Sequence, residues 1–436
     1  MGVVAGLVPS TNPTSTAMYK AIIAAKARCG MVLSPHPRAK KSTLEALRVV
    51  ATAAYRAGAP EGLFGCMSDP SIEGTNALLE DPDTDLILAT GGSAMVKAAY
   101  SKGKPAYGVG SGNVPVYVDR SADLNKAAAD IMYGVSFDWG TLCSTERSIV
   151  ADTPSLPRLK KALIAEGAYF VEDEHKEALR QAVAPDGRLN IKQVGQSPAK
   201  IAALAGFSVP EGTRGLIVEV SQVGKEEPLS METLSPILSL YTADGWEAGC
   251  ARCKEILAFG GIGHTLALHA GTEKVIKAFA LEKPAMRIVV NSVAALGSVG
   301  YTTALFPAMT LGPGTIGGSI TSDNISPLHL VNIKRVAMEV NPVNPGKKKI
   351  DATPVRTPVP TRTTSPLSLD GRPSKPWMDE IDARIRMKAG NQPSGPKNRR
   401  PLPAKAAAPK PEPTPNKKPD LSNAEIDRIA SRFRKK

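Results

Sequence analysis

Along the first 340 residues, short apolar runs alternate with segments whose apolar residues recur every three or four positions. GVVAGLVP (2–9), MVLSPHP (31–37), GLFGCM (62–67), DLILATGG (85–92) and PAYGVGSG (105–112) read as strands. Helices are expected between them at about 15–29, 42–57, 71–80 and 93–101. Strands alternating with helices of ten to fifteen residues describe parallel βαβ units, hence an open α/β sheet. Most of these strands run into small or polar loops, STNP, SPHP, TGGS and GVGSGN, and ligands in such sheets sit at the carboxyl ends of the strands. GVGSGN holds G-x-G-x-G without the G-x-G-x-x-G dinucleotide spacing, so a tight turn that needs small residues explains it equally well.

A helix then leads to GTLCSTER, a polar segment around Cys143, and the alternation resumes. Helices are expected at 155–166, 174–182, 197–205, 246–259 and 272–281. GLIVEVSQVG, PILSLYTA, GGIGHTLALHA and MRIVVNS supply strands, and NIKRVAMEV (332–340) a short final one. Two domains facing across a cleft are the expected arrangement. Past Val340 the pattern stops. Residues 341–436 hold 17 of the 37 prolines, with Trp377, Ile381 and Ile385 as an isolated apolar face. Residues 341–420 therefore read as a disordered linker. In 421–436, Ser422 and Glu425 form a capping box, and Ile426, Ile429, Ala430 and Phe433 make one apolar stripe. A short helix of that kind cannot bury its stripe alone and should dock on a partner.

Charge sharpens the division. The net +13 of the 436-residue chain lies wholly in residues 341–436, which carry 22 Lys+Arg against 9 Asp+Glu; the first 340 residues carry 32 of each. A basic tail is a nucleic-acid signal, but this one lacks interleaved aromatics and the body is neutral, so nucleic acid is not expected as a partner. No run of 18 apolar residues marks a membrane span, and the N-terminus lacks the pattern of a secretory signal. Five scattered cysteines fit a reducing cytosol. Cys250 and Cys253 form CARC, but no second pair completes a zinc site, so no metal is expected and both read as helix packing residues.

Cys143 follows a glycine turn with Arg147 nearby, and backbone N–H groups and cations in such a setting lower a thiol pKa and make a nucleophile. A buried inert cysteine is the ordinary alternative.

The order TNPTST, SPHPRAK, LILATGG, GVGSGNVP, GTLCSTE, EVSQV, GGIGHT and LGPGTIGGS resembles the CoA-acylating aldehyde dehydrogenases, from about Gly2 to Glu339. This group includes acetaldehyde and propionaldehyde dehydrogenases and the aldehyde half of bifunctional aldehyde–alcohol dehydrogenases. The resemblance implies a Rossmann-type NAD-binding domain over 1–139, short at its N-terminus. A catalytic domain over 140–312 and a closing or oligomerisation segment over 313–340 would follow, then the tail. It implies Cys143 as nucleophile, Asn12 with the Cys143 N–H as oxyanion donors, and His264 near the site. NAD would lie on Leu7, Val8, Pro9, Ser10, Thr11, Asn12, Gly92, Gly110 and Leu311, with Glu232 on the nicotinamide ribose. In SPHP, which includes Ser34, His36 would meet the adenosine phosphates of NAD or coenzyme A, with Arg38 beside it. Hydrolytic relatives carry a glutamate where Val109 stands here, and without that base a thiol acceptor is favoured over water.

Such relatives usually carry about a hundred residues ahead of the TNP loop, so a trimmed or less active fold, or a cargo protein without activity, is the competing expectation. The tail resembles the encapsulation peptides of bacterial microcompartment enzymes. That resemblance implies shell proteins as partners and a microcompartment lumen in a bacterial cytoplasm, while the enzyme resemblance implies a short aliphatic aldehyde as substrate and a homodimer or homotetramer.

Overall fold

The computed structural model describes residues 1–341, 343 and 344. They fall almost entirely in one compact unit, Met1–Ala337; a second begins at Met338. The expected linker over 341–420 lies almost wholly outside the described residues, and the expected helix over 421–436 entirely so.

The first sheet is built from β1 (Val3–Val8), α1 (Pro13–Lys26), β2 (Gly30–Pro35), α2 (Lys40–Arg56), β3 (Phe64–Cys66), α3 (Ile72–Glu80), β4 (Thr84–Thr90), α4 (Ser93–Tyr100) and β5 (Ala106–Val109). Its strands are parallel in the order β3-β2-β1-β4-β5. Alternate residues of β1 face opposite layers: Val4 and Val8 pack with α1 and α2, Ala5 and Leu7 with Leu79 of α3 and Ala99 of α4. A sheet covered on both faces needs strands apolar at every position, which is why the runs read so plainly. Local signals start the helices. Pro13 opens α1, where its missing N–H costs nothing, and the Ser71 hydroxyl accepts the Gly74 N–H at 2.9 Å at the head of α3.

The order of strands reverses between β1 and β4, and a buried cation spans that point. Lys20 of α1 is fully buried, and its Nζ donates to the carbonyls of Leu7 at 2.5 Å and Leu88 at 2.7 Å. Burial drives its pKa well below the ordinary lysine value.

The second sheet contains β6 (Val114–Val118), α5 (Leu124–Ser136), β7 (Glu146–Asp152), α6 (Leu156–Ala165), β8 (Ala168–Phe170), α7 (Asp173–Val183), α8 (Pro198–Leu204), β9 (Gly215–Glu219), β10 (Ile237–Ala243), α9 (Gly245–Phe259), β11 (Gly263–His269), α10 (Glu273–Glu282) and β12 (Ala285–Val290), followed by α11 (Ala294–Ser298). All seven strands are parallel, in the order β12-β11-β6-β7-β10-β9-β8.

Four features depart from the sequence reading. The sheets divide at residues 110–113, not at 139, because β6 pairs with β7 and β11. The polar-looking stretch after Cys143 is a strand, β7, with every residue buried. Two short strands, β6 and β8, were masked by neighbouring loop and helix signals. Residues 332–340 form no strand; they are exposed throughout, since a strand needs a neighbour to satisfy its backbone.

Polar side chains inside β7 are held by specific partners. Asp152 is fully buried and takes bonds from Arg120 and from the Gly245 N–H at 3.0 Å. Glu146, at the other end, accepts the Ala294 N–H at 2.6 Å at the start of α11. Burial pushes the Glu146 carboxyl up to about 8, against an ordinary value of 4.5. Between these values the folded chain holds a proton that the unfolded chain has lost, so stability falls as pH rises from 4.5 towards 8. Glu146→Gln imitates the protonated form, and thermal unfolding of the variant should lose less melting temperature than the parent between pH 5 and 9.

Candidate functional site

The connection from β5 to β6 is only four residues long, so the carboxyl-terminal edge of the first sheet meets the amino-terminal edge of the second. Three strands of the second sheet begin there: β6 at Val114, β7 at Glu146 and β11 at Gly263. Cys143 stands three residues before β7, and His264 is the second residue of β11.

Gly112 sits between them. A Cβ on this residue would stand 2.0 Å from the Cys143 carbonyl oxygen and 3.4 Å from His264 Nδ1. The third glycine of GVGSGN is therefore required by the approach of another backbone, a use specific to glycine. Gly261, in the left-handed region at φ +75, lies under the same loop: its Cβ would meet the Asn113 nitrogen at 2.2 Å. The Asn113 amide in turn donates to the Ser230 carbonyl at 2.8 Å.

Arg147 fixes the turn before Cys143. It is buried at 2% exposure, and its guanidinium donates to the carbonyls of Ser235 at 2.9 Å, Leu142 at 3.2 Å and Gly140. One planar fork thus ties the Cys143 loop to the METLSP loop. The turn is a left-handed run, with Asp138, Trp139 and Gly140 at φ 49, 48 and 72. Non-glycine residues persist in that region only where their surroundings hold them; here Thr141 Oγ1 bonds Asp138 Oδ2 at 2.8 Å.

Glu232, in the METLSP loop, accepts the Gly112 N–H at 3.1 Å. Burial pushes its carboxyl up to about 7, while Arg147 and the bonds from Gly112 and Ser111 pull the other way. The structure corrects the expected electrostatics of Cys143. Burial and then the Glu232 charge push the thiol up to about 12, and Arg287 and Arg147 only partly oppose them. Proximity to cations had suggested a lowered value, but desolvation outweighs it. His264 is pushed down to about 3 by burial and by Arg287, so its imidazole is neutral. Its Nδ1 meets Thr265 Oγ1 at 3.0 Å, and its buried Nε2 has no partner among the described residues. Arg287 holds this strand end by donating to the carbonyls of His264 at 2.8 Å and Gly312 at 2.7 Å.

The other expected ligand residues occupy the first-sheet side. Leu7, Ser34 and His36 line one cavity of about 240 Å³ with Thr75, Asn76 and Met95. Ser34 Oγ bonds Thr75 Oγ1 at 2.8 Å, and His36 Nδ1 accepts the Arg38 N–H at 3.2 Å. Val8, Pro9, Ser10, Thr11, Asn12, Gly92, Gly110, Glu232 and Leu311 do not line it. Asn12 Oδ1 takes a bond from Thr11 at 3.3 Å, and its amide nitrogen makes none among the described residues. Gly92 caps α4, and Leu311 is buried beside Thr310, whose hydroxyl meets that of Thr90 at 3.0 Å. Val109 is buried at 2% exposure as the last residue of β5.

The first 179 residues match the model of the "Aldehyde dehydrogenase family". Over 342 residues the chain is 43% identical to the bifunctional aldehyde-alcohol dehydrogenase AdhE of Escherichia coli (strain K12), covering 77% of this chain and 38% of that protein. The crystal structure of an acetylating aldehyde dehydrogenase from Geobacillus thermoglucosidasius superposes with a TM-score of 0.78 at 48% identity, covering 79% of this chain and 76% of that one. The chain belongs to the acylating aldehyde dehydrogenase family. A further member, a propionaldehyde dehydrogenase from the fucose-utilisation bacterial microcompartment of Clostridium phytofermentans, has a TM-score of 0.69 at 29% identity. It covers 74% of this chain and 73% of that one. The chain spans well under half the length of the bifunctional relatives it matches.

The sequence placed Arg147 near Cys143 only as a cation, not as the buried support of its turn, and gave no role to Arg287 or to Gly112 by itself. The signal for the arginines was there: ERSIV and MRIVV each place a charge inside an apolar run, which folding tolerates only where the charge is bonded. Glu232→Gln removes a negative charge that raises the Cys143 thiol. Its alkylation by iodoacetamide at pH 8, followed at Cys143 by peptide mass spectrometry, should be faster than in the parent. An unchanged rate would mean that Glu232 exerts no field at the thiol.

Proposed function

We propose that the chain oxidises a short aliphatic aldehyde, propionaldehyde or acetaldehyde, to its acyl-CoA with NAD. The observation that carries this reading is the convergence of Cys143, Glu232 and His264 on the Gly110–Asn113 connection, where the two sheets meet edge to edge. The unpartnered His264 Nε2, the free Asn12 amide and the cavity beside Leu7, Ser34 and His36 suit a dinucleotide and a CoA thiol. Leu7–Asn12, Gly92, Gly110 and Leu311 would hold NAD, with Glu232 on its ribose. NAD, when bound, supplies the hydride acceptor.

The Cys143 sulfur adds to the aldehyde carbon to give a thiohemiacetal, and its proton leaves the site. The Asn12 amide and the Cys143 N–H hold the oxygen as charge develops on it. Departure of the hydride leaves a thioester on Cys143. The CoA thiol then takes the acyl group and frees the cysteine, with neutral His264 offering Nε2 to the thiol proton. A valine at 109 offers no base to water, which favours the thiol acceptor.

The purified chain should form NADH from propionaldehyde only when CoA is present, and Cys143→Ala should lose at least a thousandfold in kcat/KM while unfolding at the parent temperature. CoA-independent turnover, or a Cys143→Ala enzyme near parental rate, would sink the reading.

We further propose that the chain is microcompartment cargo in a bacterial cytoplasm, forms a homo-oligomer, and meets shell proteins through residues 421–436. The sequence spacing of Ile426, Ile429, Ala430 and Phe433 after Ser422 and Glu425 supports this, as does the compartment named for the Clostridium phytofermentans relative. Deletion of 421–436 should abolish co-purification with shells and leave kcat and KM unchanged; loss of catalysis would refute it.

A further inference from the structure

Away from the site, α9 and the end of α10 enclose a second sulfur centre. Cys250 and Cys253 lie one turn apart on α9, at 5% and 0% exposure. Lys283, which follows α10 and is 8% exposed, points into the same place. Its Nζ donates to the Cys250 carbonyl at 2.7 Å and contacts Cys250 Sγ; these are its only hydrogen-bond partners among the described residues. The Phe279 ring covers the amine at 4.0 Å.

A buried lysine ordinarily meets a carboxylate. This one meets a thiol, a carbonyl and an aromatic face. Burial lowers its pKa, with the Cys250 contact opposing, and a larger share of neutral amine is a larger share of nucleophile.

We propose that Cys250 and Lys283 form a covalent, reversible, oxygen-bridged cross-link under peroxide. Hydrogen peroxide first oxidises the Cys250 thiol to a sulfenic acid, one oxygen entering and one water leaving. A second peroxide then removes the sulfenic hydrogen and one amine hydrogen as the O–N bond forms, and two waters leave. The product is Sγ–O–Nζ with one hydrogen kept on nitrogen. A single bridging oxygen spans two atoms already in contact, whereas a direct S–N bond would need the amine to close further on the sulfur.

The cross-link would act on the strand edge that carries His264. Pro284, next to Lys283, accepts the Gly263 N–H at 2.7 Å, and Arg287, three residues on, holds the His264 carbonyl. Tying Lys283 to α9 therefore constrains the start of β11. The modification stands without the proposed reaction; only its effect on turnover rests on that reading.

The test treats the full chain with hydrogen peroxide, blocks free thiols and digests with trypsin. The expected product joins the peptide ending at Arg252 to the peptide ending at Arg287, heavier by one oxygen and lighter by two hydrogens (about 14 Da), and is reversed by dithiothreitol. It should vanish in Lys283→Met and in Cys250→Ala, and persist in Cys253→Ala and Cys143→Ala. Two variants at separate positions guard against a misfolded control. A bond from Cys250 to Cys253, which would tie the Arg252 peptide to the dipeptide Cys253–Lys254, overturns the proposal. So does a freely alkylated Cys250 after Cys143 has been fully oxidised. With the cross-link formed in Cys253→Ala, CoA-dependent turnover should fall at least twofold beyond any loss in Lys283→Met treated alike. Equal losses would discard the effect on the site and leave the cross-link standing.

Discussion

The site depends on how closely two stretches of backbone approach at Gly112. The Cys143 carbonyl lies where a side chain at 112 would begin, so the loop leaving the first sheet and the loop entering β7 share one small space. Only a residue without a Cβ allows that approach. The same contact puts the Gly112 N–H on Glu232 and leaves His264 on the other flank. Remove the close approach and the thiol, the carboxylate and the imidazole lose their common neighbour.

Buried charge holds this arrangement in place. Arg147 ties three carbonyls from two loops, Arg287 ties His264 to Gly312, and Lys20 ties β1 to β4 where the strand order reverses. Each cation is bonded chiefly to backbone carbonyls, which fixes main-chain position without placing a strong counter-charge in the site. Leaving those carbonyls unpaired would cost more than the bonds themselves return, so such supports are obligatory once the fold is chosen. Desolvation is the consequence: it raises Cys143 and Glu232 and keeps His264 neutral. The balance holds the Cys143 thiol above its ordinary value, with the Glu232 charge adding to burial and Arg287 and Arg147 opposing.

Much of the fold was written in the apolar runs. Parallel strands covered on both faces must be apolar at nearly every position, and β1, β2, β4, β10, β11 and β12 announced themselves in this way. The sequence also marked Cys143, Asn12, Glu232 and His264, because their loops keep a motif order shared with the family. Residues 332–340 misled, since alternating apolar residues resemble a strand whether or not a neighbour exists to pair with them.

Tertiary structure alone decided three matters. It placed the sheet boundary at 110–113, because β6 can join either sheet by its own composition and only pairing with β7 and β11 assigns it. It made ERSIV a buried strand, because Glu146 and Arg147 find partners from segments far along the chain. It reversed the expected shift of the Cys143 thiol, because burial is a sum over surrounding atoms that no local motif contains. The sequence by itself determined the sheet class and the change of composition after Val340, both properties of adjacent residues. Distances, burial and fields belong to neighbours that folding brings together.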